Sequence, residues 1–207
     1  MTPPDVFAPG LLGRRCWLEL ADGQRISLPV DRWGAAPDRG DEVLLDACSG
    51  PTLDVGCGPG RLTAALTRRG VAALGVDISP VAVALTRSRG AVALRRDVYD
   101  PLPGEGLWRH VLLADGNVGI GGDPVALLRR MRELLSRNGS ALVESDRPGR
   151  GVHAGRARVS RDSGSGPWFD WAWLGADSVP WAAAEAGFAV RWTREHLGRW
   201  FTELVPV

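Results

Sequence analysis

A chain of 207 residues is long enough for one domain with its own core, and its 25 basic and 24 acidic residues leave a formal charge of +1. That balance excludes the basic excess expected of a duplex-binding surface, and no apolar run approaches the length of a membrane span. Every basic residue is arginine, a uniformity read as compositional bias of the source rather than as a binding feature.

Cys16, Cys48 and Cys57 are widely spaced and form no CxxC or Cys/His cluster, so neither a structural zinc nor a disulfide framework is expected. Met1 to Gly13 has no basic region followed by an apolar stretch, which makes a reduced, cytoplasmic setting the expectation. The same segment is rich in Pro and Gly and is expected to lack regular structure. Cys16–Leu20 and Arg25–Val30 partly alternate around the turn Ala21-Asp22-Gly23-Gln24, which predicts a small hairpin. Asp31 to Gly40 reads as turns. Asp41 to Cys48 reads as a short helix that either covers a pocket or caps a sheet edge.

From Pro51 the pattern becomes regular. Strands are predicted at 52–55, 71–76, 91–95, 110–114 and 141–144, alternating with helices that begin at Arg61, Ser79 and Asp123. Asn138-Gly139 is read as the end of the last of these helices. Such alternation implies a mostly parallel sheet with helices on both faces. After Asp146, two strands at 156–161 and 168–174 flank a turn cluster. A helix near 177–186 and strands at 189–194 and 199–205 close the chain. The organisation expected is an N-terminal extension over 1–50, packed on a main unit over 51–207 that carries an inserted hairpin at 156–174.

The stretch Leu53-Asp54-Val55-Gly56-Cys57-Gly58-Pro59-Gly60 places three glycines at alternate positions between a strand and a helix. A backbone needs this where it turns tightly and brings N–H groups against a ligand. Twenty-one residues after Gly56, the second strand ends at Asp77, the spacing at which a carboxylate reaches ribose hydroxyls. Asp97 follows the third strand, where it can accept from an exocyclic amine, and Asp115 follows the fourth. The third glycine comes one position too early for the dinucleotide fingerprint GxGxxG, which weighs against a nicotinamide or flavin dinucleotide. Arg61 follows the loop, with nothing in the sequence to say whether it turns inward or faces solvent.

The glycine stretch resembles the first motif of the class I S-adenosylmethionine-dependent methyltransferases. Gly75-Val76-Asp77-Ile78-Ser79 resembles their second, and Arg96-Asp97-Val98 the segment that borders the adenine. The likeness runs from about Pro51 to Asp146. It implies a Rossmann-like α/β fold, a seven-stranded sheet with one antiparallel strand, and S-adenosyl-L-methionine as cofactor. It further implies cofactor-binding roles for Asp54, Gly56, Cys57, Gly58, Gly60, Asp77, Ile78, Asp97, Val98 and Asp115, with a small packing residue at Cys57 and the substrate meeting the methyl group after the fourth strand. Transfer of a methyl group to a small, apolar or aromatic molecule is then expected, without a metal, nucleic acid or membrane partner, by a monomer or homodimer. Two rival readings are a nicotinamide-dependent oxidoreductase and a non-catalytic partner protein that keeps the pocket.

Asp115 and His153 are the candidate bases, should the nucleophile need to lose a proton. Asn117, in the glycine-rich loop after the fourth strand, is a candidate for substrate contact. Most of the nine tryptophans lie from Trp168 onward. For Trp168 and its neighbours, as for Trp33, two readings stay open: core or interface on the one hand, and the wall of a substrate pocket on the other. His110, at the start of a buried strand, is read as structural.

Overall fold

A computed structural model describes residues 5–207; residues 1–4, which fall in the segment expected to be irregular, lie outside it. The chain opens with α1 (Ala8–Leu11), the hairpin strands β1 (Trp17–Leu20) and β2 (Arg25–Ser27), α2 (Val30–Gly34) and α3 (Glu42–Ala47). Neither α1 nor α2 follows from the sequence pattern. Each is a single turn of four or five residues with a proline beside its start, and Pro9 in the first turn of α1 supplies a preset φ without losing a needed donor.

The regular alternation follows: β3 (Thr52–Val55), α4 (Arg61–Arg68), β4 (Ala73–Asp77), α5 (Pro80–Ser88), β5 (Val92–Arg95), β6 (Trp108–Leu113), α6 (Pro124–Leu134) and β7 (Leu135–Ser145). Helix α5 starts where its caps require: Ser79 accepts from the Ala82 N–H at 3.0 Å and Pro80 takes the first position. Helix α6 has the same start, with Asp123 accepting from the Ala126 N–H at 3.0 Å. Its end differs from expectation. Leu135 already has extended dihedrals, and Asn138-Gly139 lies inside β7 rather than closing the helix. Gly139 is needed there because a Cβ would stand 2.8 Å from the Trp108 carbonyl oxygen, at the irregularity where β7 joins β6.

The C-terminal part holds β8 (Val152–Arg161), β9 (Gly164–Ser165), β10 (Phe169–Leu174), α7 (Val179–Glu185), β11 (Phe188–His196) and β12 (Arg199–Pro206). Seven strands form one sheet in the order β11-β12-β7-β6-β3-β4-β5. β3 to β7 run parallel, and β12 is antiparallel to β7. The period of two along β6 divides the core. Val111 and Leu113 face α6 and α7 with Leu127, Met131 and Leu134, whereas Leu112 turns to the other side with Leu44, Leu62, Leu66, Leu142 and Phe201. Helix α3 therefore covers a face of the sheet and does not close a pocket.

A second sheet has the order β10-β8-β1-β2, with β9 paired to β8. The N-terminal hairpin and the inserted hairpin, which the sequence presents as separate additions, are strands of one structure: Trp17 pairs with Ser160 and Leu20 with Ala157. This sheet stands over the carboxyl ends of β3, β6 and β7, the place where open α/β sheets collect ligands. Among the described residues no helix is long and apolar enough to cross a membrane.

Candidate functional site

The glycine loop leaves β3 in a left-handed conformation at Gly56, Gly58 and Gly60. At Gly56 the requirement is steric as well, since a Cβ would come within 2.6 Å of the Asn117 amide nitrogen. That amide donates to the carbonyl oxygens of Val55 and Gly56, each at 2.9 Å, so Asn117 braces the loop with the donors expected to serve a substrate. Gly60 starts α4 and touches α5, where a Cβ would meet the Cα of Thr86 at 2.8 Å. It packs two helices together and does not line the cavity.

Two carboxylates hold the loop from below. Asp54 is buried and accepts from the Thr63 hydroxyl at 2.6 Å; burial pushes its carboxyl up to about 6. Asp77, at the end of β4, accepts from the N–H groups of Gly58 at 3.0 Å and Ser79 at 2.8 Å. Burial raises its pKa, opposed by those two hydrogen bonds. The Cys57 sulfur lies 3.7 Å from the Thr86 hydroxyl, behind the loop, and burial pushes its thiol well up, the opposite of a reactive cysteine. Ile78 is 45% exposed at the rim.

Above the loop lies a network of charges that the sequence does not display. Arg61 is only 3% exposed, and its guanidinium is bonded to both Asp41 and Asp115. Arg32 of α2 reaches Asp38 at 3.3 Å, Asp41 at 3.1 Å and Asp115 at 3.0 Å. Arg199 of β12 bonds Glu144 through two nitrogens at 2.7 and 2.8 Å and Asp41 at 3.0 Å. Burial alone would raise Asp41, but the hydrogen bond and charge of Arg61 bring it down to about 2. Burial pushes Asp115 up against the pull of Arg61. The Asp115 N–H donates to Glu144 at 2.8 Å, and its φ of 54° is held by this web.

One cavity of about 750 Å³ joins these parts. Its lower wall is the loop, Asp77, Ile78, Asp97, Val98 and Tyr99. Its upper wall is the apolar face of the second sheet, with Leu18, Ile26, Phe169, Trp171 and Trp173, together with Phe7 and Trp33. The Phe7 ring sits 5.5 Å from Phe169, 6.0 Å from Trp171 and 6.4 Å from Trp33. Leu11 lies above Gly58, and Asp5 accepts from the Ser79 hydroxyl at 2.6 Å, so the N-terminal segment roofs the loop.

Of the residues singled out from the sequence, Asp54, Gly56, Cys57, Gly58, Asp77, Ile78, Asp97, Val98, Asp115, Asn117, Trp33 and Trp168 line this cavity. Trp168 is at the rim, with the Arg158 guanidinium 4.6 Å from its ring. Two do not. Gly60 is behind the loop, and His153 is exposed on β8, its ring 6.0 Å from Trp173 and outside the cavity. His153 is therefore not placed to act as a base. Asp115 is in place, but its carboxylate is committed to Arg61 and Arg32. His110 is buried, its ring nitrogens in hydrogen-bonding distance of Ser49 and Ser140. Burial pushes it down to about 4. Arg32, Arg61, Arg199, Asp41 and Glu144 come from five separate segments, and only the place of Arg61 directly after the loop offered any sign of them.

Residues 52–139 match the family model described as a methyltransferase domain. No curated protein matches the chain in sequence. Among solved structures, a methyltransferase from Bacteroides fragilis in complex with S-adenosyl-L-homocysteine shares 21% identity, with 98% of this chain and 93% of that chain covered and a TM-score of 0.79. The CcbJ methyltransferase from Streptomyces caelestis gives 18%, 84%, 92% and 0.63 for the same measures. A 1,6-didemethyltoxoflavin-N1-methyltransferase from Burkholderia thailandensis gives 17%, 80%, 76% and 0.57. The covering of nearly the whole chain by the first includes the second sheet and the roof.

Proposed function

We propose that this chain, whose residues 52–139 match a methyltransferase domain and whose fold is that of S-adenosylmethionine-dependent methyltransferases, methylates a small apolar or aromatic molecule held against the aromatic wall of its cavity. The observation that carries this reading is the single cavity in which the glycine loop and Asp77 face Phe7, Trp33, Phe169, Trp171 and Trp173. Aromatic side chains supply large apolar area with little conformational freedom to lose, which suits a flat or apolar ligand. The Burkholderia relative was solved with a bound small heteroaromatic molecule, 1,6-didemethyltoxoflavin.

The residues fit the cofactor. Two lone pairs of Asp77 already accept from backbone, and its carboxylate retains capacity for vicinal hydroxyls. Ile78 presents an exposed apolar face beside Asp97, whose Oδ1 accepts from the Tyr99 N–H at 3.0 Å. When bound, S-adenosylmethionine supplies an electrophilic methyl carbon that carries its own leaving group. The protein's part is then to align the nucleophile and exclude water. Asn117 holds the loop rigid for that alignment, and the roof formed by Phe7, Leu11 and Trp33 shields it. We assign the substrate contacts to Trp33, Trp168 and the β10 aromatics, and cofactor contacts to the lining residues from Asp54 to Asp115.

The test is calorimetric titration with S-adenosylmethionine, S-adenosylhomocysteine and NAD on the native chain and on Asp77→Ala, followed by S-adenosylhomocysteine release over a panel of small aromatic acceptors. Binding of the first two, weakened at least tenfold in the variant, with turnover on an aromatic acceptor, supports the reading. Turnover confined to a protein or RNA acceptor would overturn it.

A further inference from the structure

Seven carboxylates line the cavity, and six are engaged. Asp54 is held by Thr63, Asp77 by Gly58 and Ser79, and Asp97 by the Tyr99 N–H. Asp115 pairs with Arg61 and Arg32, Glu144 with Arg199, and Asp170 with Arg156 at 3.4 Å. Among the described residues the side chain of the seventh, Asp146, has no hydrogen bond and no ion pair, and the charges of Arg150 and Arg147 act on it only from a distance. Its place is nonetheless fixed. Its N–H donates to the Leu174 carbonyl at 2.9 Å and its own carbonyl accepts from Ala176 at 2.9 Å, which pins it between the end of β7 and the end of β10. The residue before it, Ser145, is 7% exposed, lines the same cavity, and has a buried hydroxyl without a hydrogen-bond partner.

A buried hydroxyl left unpartnered is costly, and the half-buried Asp146 carboxylate beside it keeps its full accepting capacity for a ligand in the cavity. The ligand must present donors, and a positive one gains further from the aromatic faces around it. A neutral apolar molecule would leave the carboxylate without a partner. A carboxylate or phosphate would be repelled.

Resting on the methyltransferase reading above, we propose that the acceptor's nucleophile is an amine nitrogen, anchored as ammonium by Asp146 in the cavity. Asp146 is then the catalytic residue that accepts the ammonium proton. The N–H bond breaks, its electron pair stays on nitrogen as the attacking lone pair, and the proton forms an O–H bond on the Asp146 carboxyl. This gives the base that neither His153, outside the cavity, nor Asp115, tied to two arginines, provides.

The experiment titrates the full chain, saturated with S-adenosylhomocysteine, with tryptamine and 2-phenylethylamine and with their alcohol counterparts tryptophol and 2-phenylethanol, following the heat of binding by calorimetry. At least one amine should bind about tenfold more tightly than its alcohol. The preference should vanish in Asp146→Asn and persist in part in Asp146→Glu, while S-adenosylhomocysteine affinity, measured separately, stays within about twofold in both variants. Equal binding of amine and alcohol, no binding of either amine to the saturated native chain, or an amine preference that survives Asp146→Asn would overturn the proposal. Failure of S-adenosylhomocysteine to bind the native chain would instead remove the methyltransferase reading on which it stands.

Discussion

Arg61, the first residue after the glycine loop, is bonded to Asp41, a residue ahead of the central sheet that sequence reading places in a helix start. The pair ties the loop to the segment that leads into α3, and Asp41 in turn holds Arg32 and Arg199. Removing one member of a buried ion network leaves its partners under-compensated: without Arg61, Asp41 keeps Arg32 and Arg199 and Asp115 keeps Arg32, so the cost falls below the ~3–5 kcal/mol of a broken isolated pair. Arg61→Met should therefore lower the denaturation midpoint well beyond what a surface arginine would, and Asp41→Asn should cost comparably. Both together should cost less than the sum, because they share one network. Urea unfolding of the three variants measures this.

Gly119 sits where β10 crosses the loop after β6, and a Cβ there would come within 2.0 Å of the Ala172 carbonyl oxygen. Gly119→Ala should push β10 away from the main sheet. The expected result is a loss of roughly 1–3 kcal/mol and a weakening of acceptor binding, with cofactor affinity changed less because Gly56 and Asp77 are on the far wall. Melting curves with and without S-adenosylhomocysteine, alongside acceptor titration, separate the two effects.

Two buried groups give opposite pH dependence. His110, held neutral with a pKa of about 4 against an ordinary 6.5, takes up a proton more readily when unfolded, so its contribution is complete above 6.5 and is lost as pH falls toward 4. Asp54, pushed up to about 6 from 3.8, holds its proton better when folded, so its contribution is complete below 3.8 and is lost as pH rises through 6. His110→Gln should accordingly lose its disadvantage to the native chain between pH 7 and 4.5. Asp54→Asn should gain relative to the native chain over the rise from pH 4.5 to 7. Thermal melts at these two pH values give the sign of each.

Phe7 touches Phe169, Trp171 and Trp33 but belongs to a single-turn roof. Phe7→Ala should weaken acceptor and cofactor binding several-fold through faster dissociation, with a small change in melting temperature. Stopped-flow dissociation of S-adenosylhomocysteine reads this directly, and an unchanged rate would remove the roof from the binding step.

The loop from Asp54 to Gly60, Asp77 and Asp97 could be read from sequence because each is set by local backbone demand: a glycine where φ is positive, an acid where a parallel strand ends. The core of the sheet was legible for the same reason, through the period of two along β6 and the helical spacing of Leu127, Met131 and Leu134. What escaped has no local signature. The Arg61–Asp41–Arg199 network joins positions up to 158 apart, and α2 looked like a run of turns because a five-residue helix has no room for a period. His153 misled because its nearness to β7 in sequence does not survive the path of β8, which carries it out past Trp173. Asp146 marks in the sequence only the end of the regular part, and its lack of a hydrogen bond becomes visible only once every other cavity acid has found a partner.

The pairing of β1 with β8 has a consequence for how the molecule comes into being. Trp17 is 143 positions ahead of its partner Ser160, so the first hairpin made has no sheet to join until most of the chain exists. Contacts of such separation form late and slowly, since the chain between must be ordered before they reward it. The parallel strands β3 to β7, by contrast, are contiguous and can assemble in the interval. The donor half of the cavity is thus complete before its acceptor half has any wall, and a nascent or truncated chain ending short of Val152 would display the loop and Asp77 to water, with Phe7 lacking Phe169 and Trp171. Lesions in the insertion should for this reason act at the amino terminus too, exposing apolar surface there that invites capture by chaperones or by other copies of the chain.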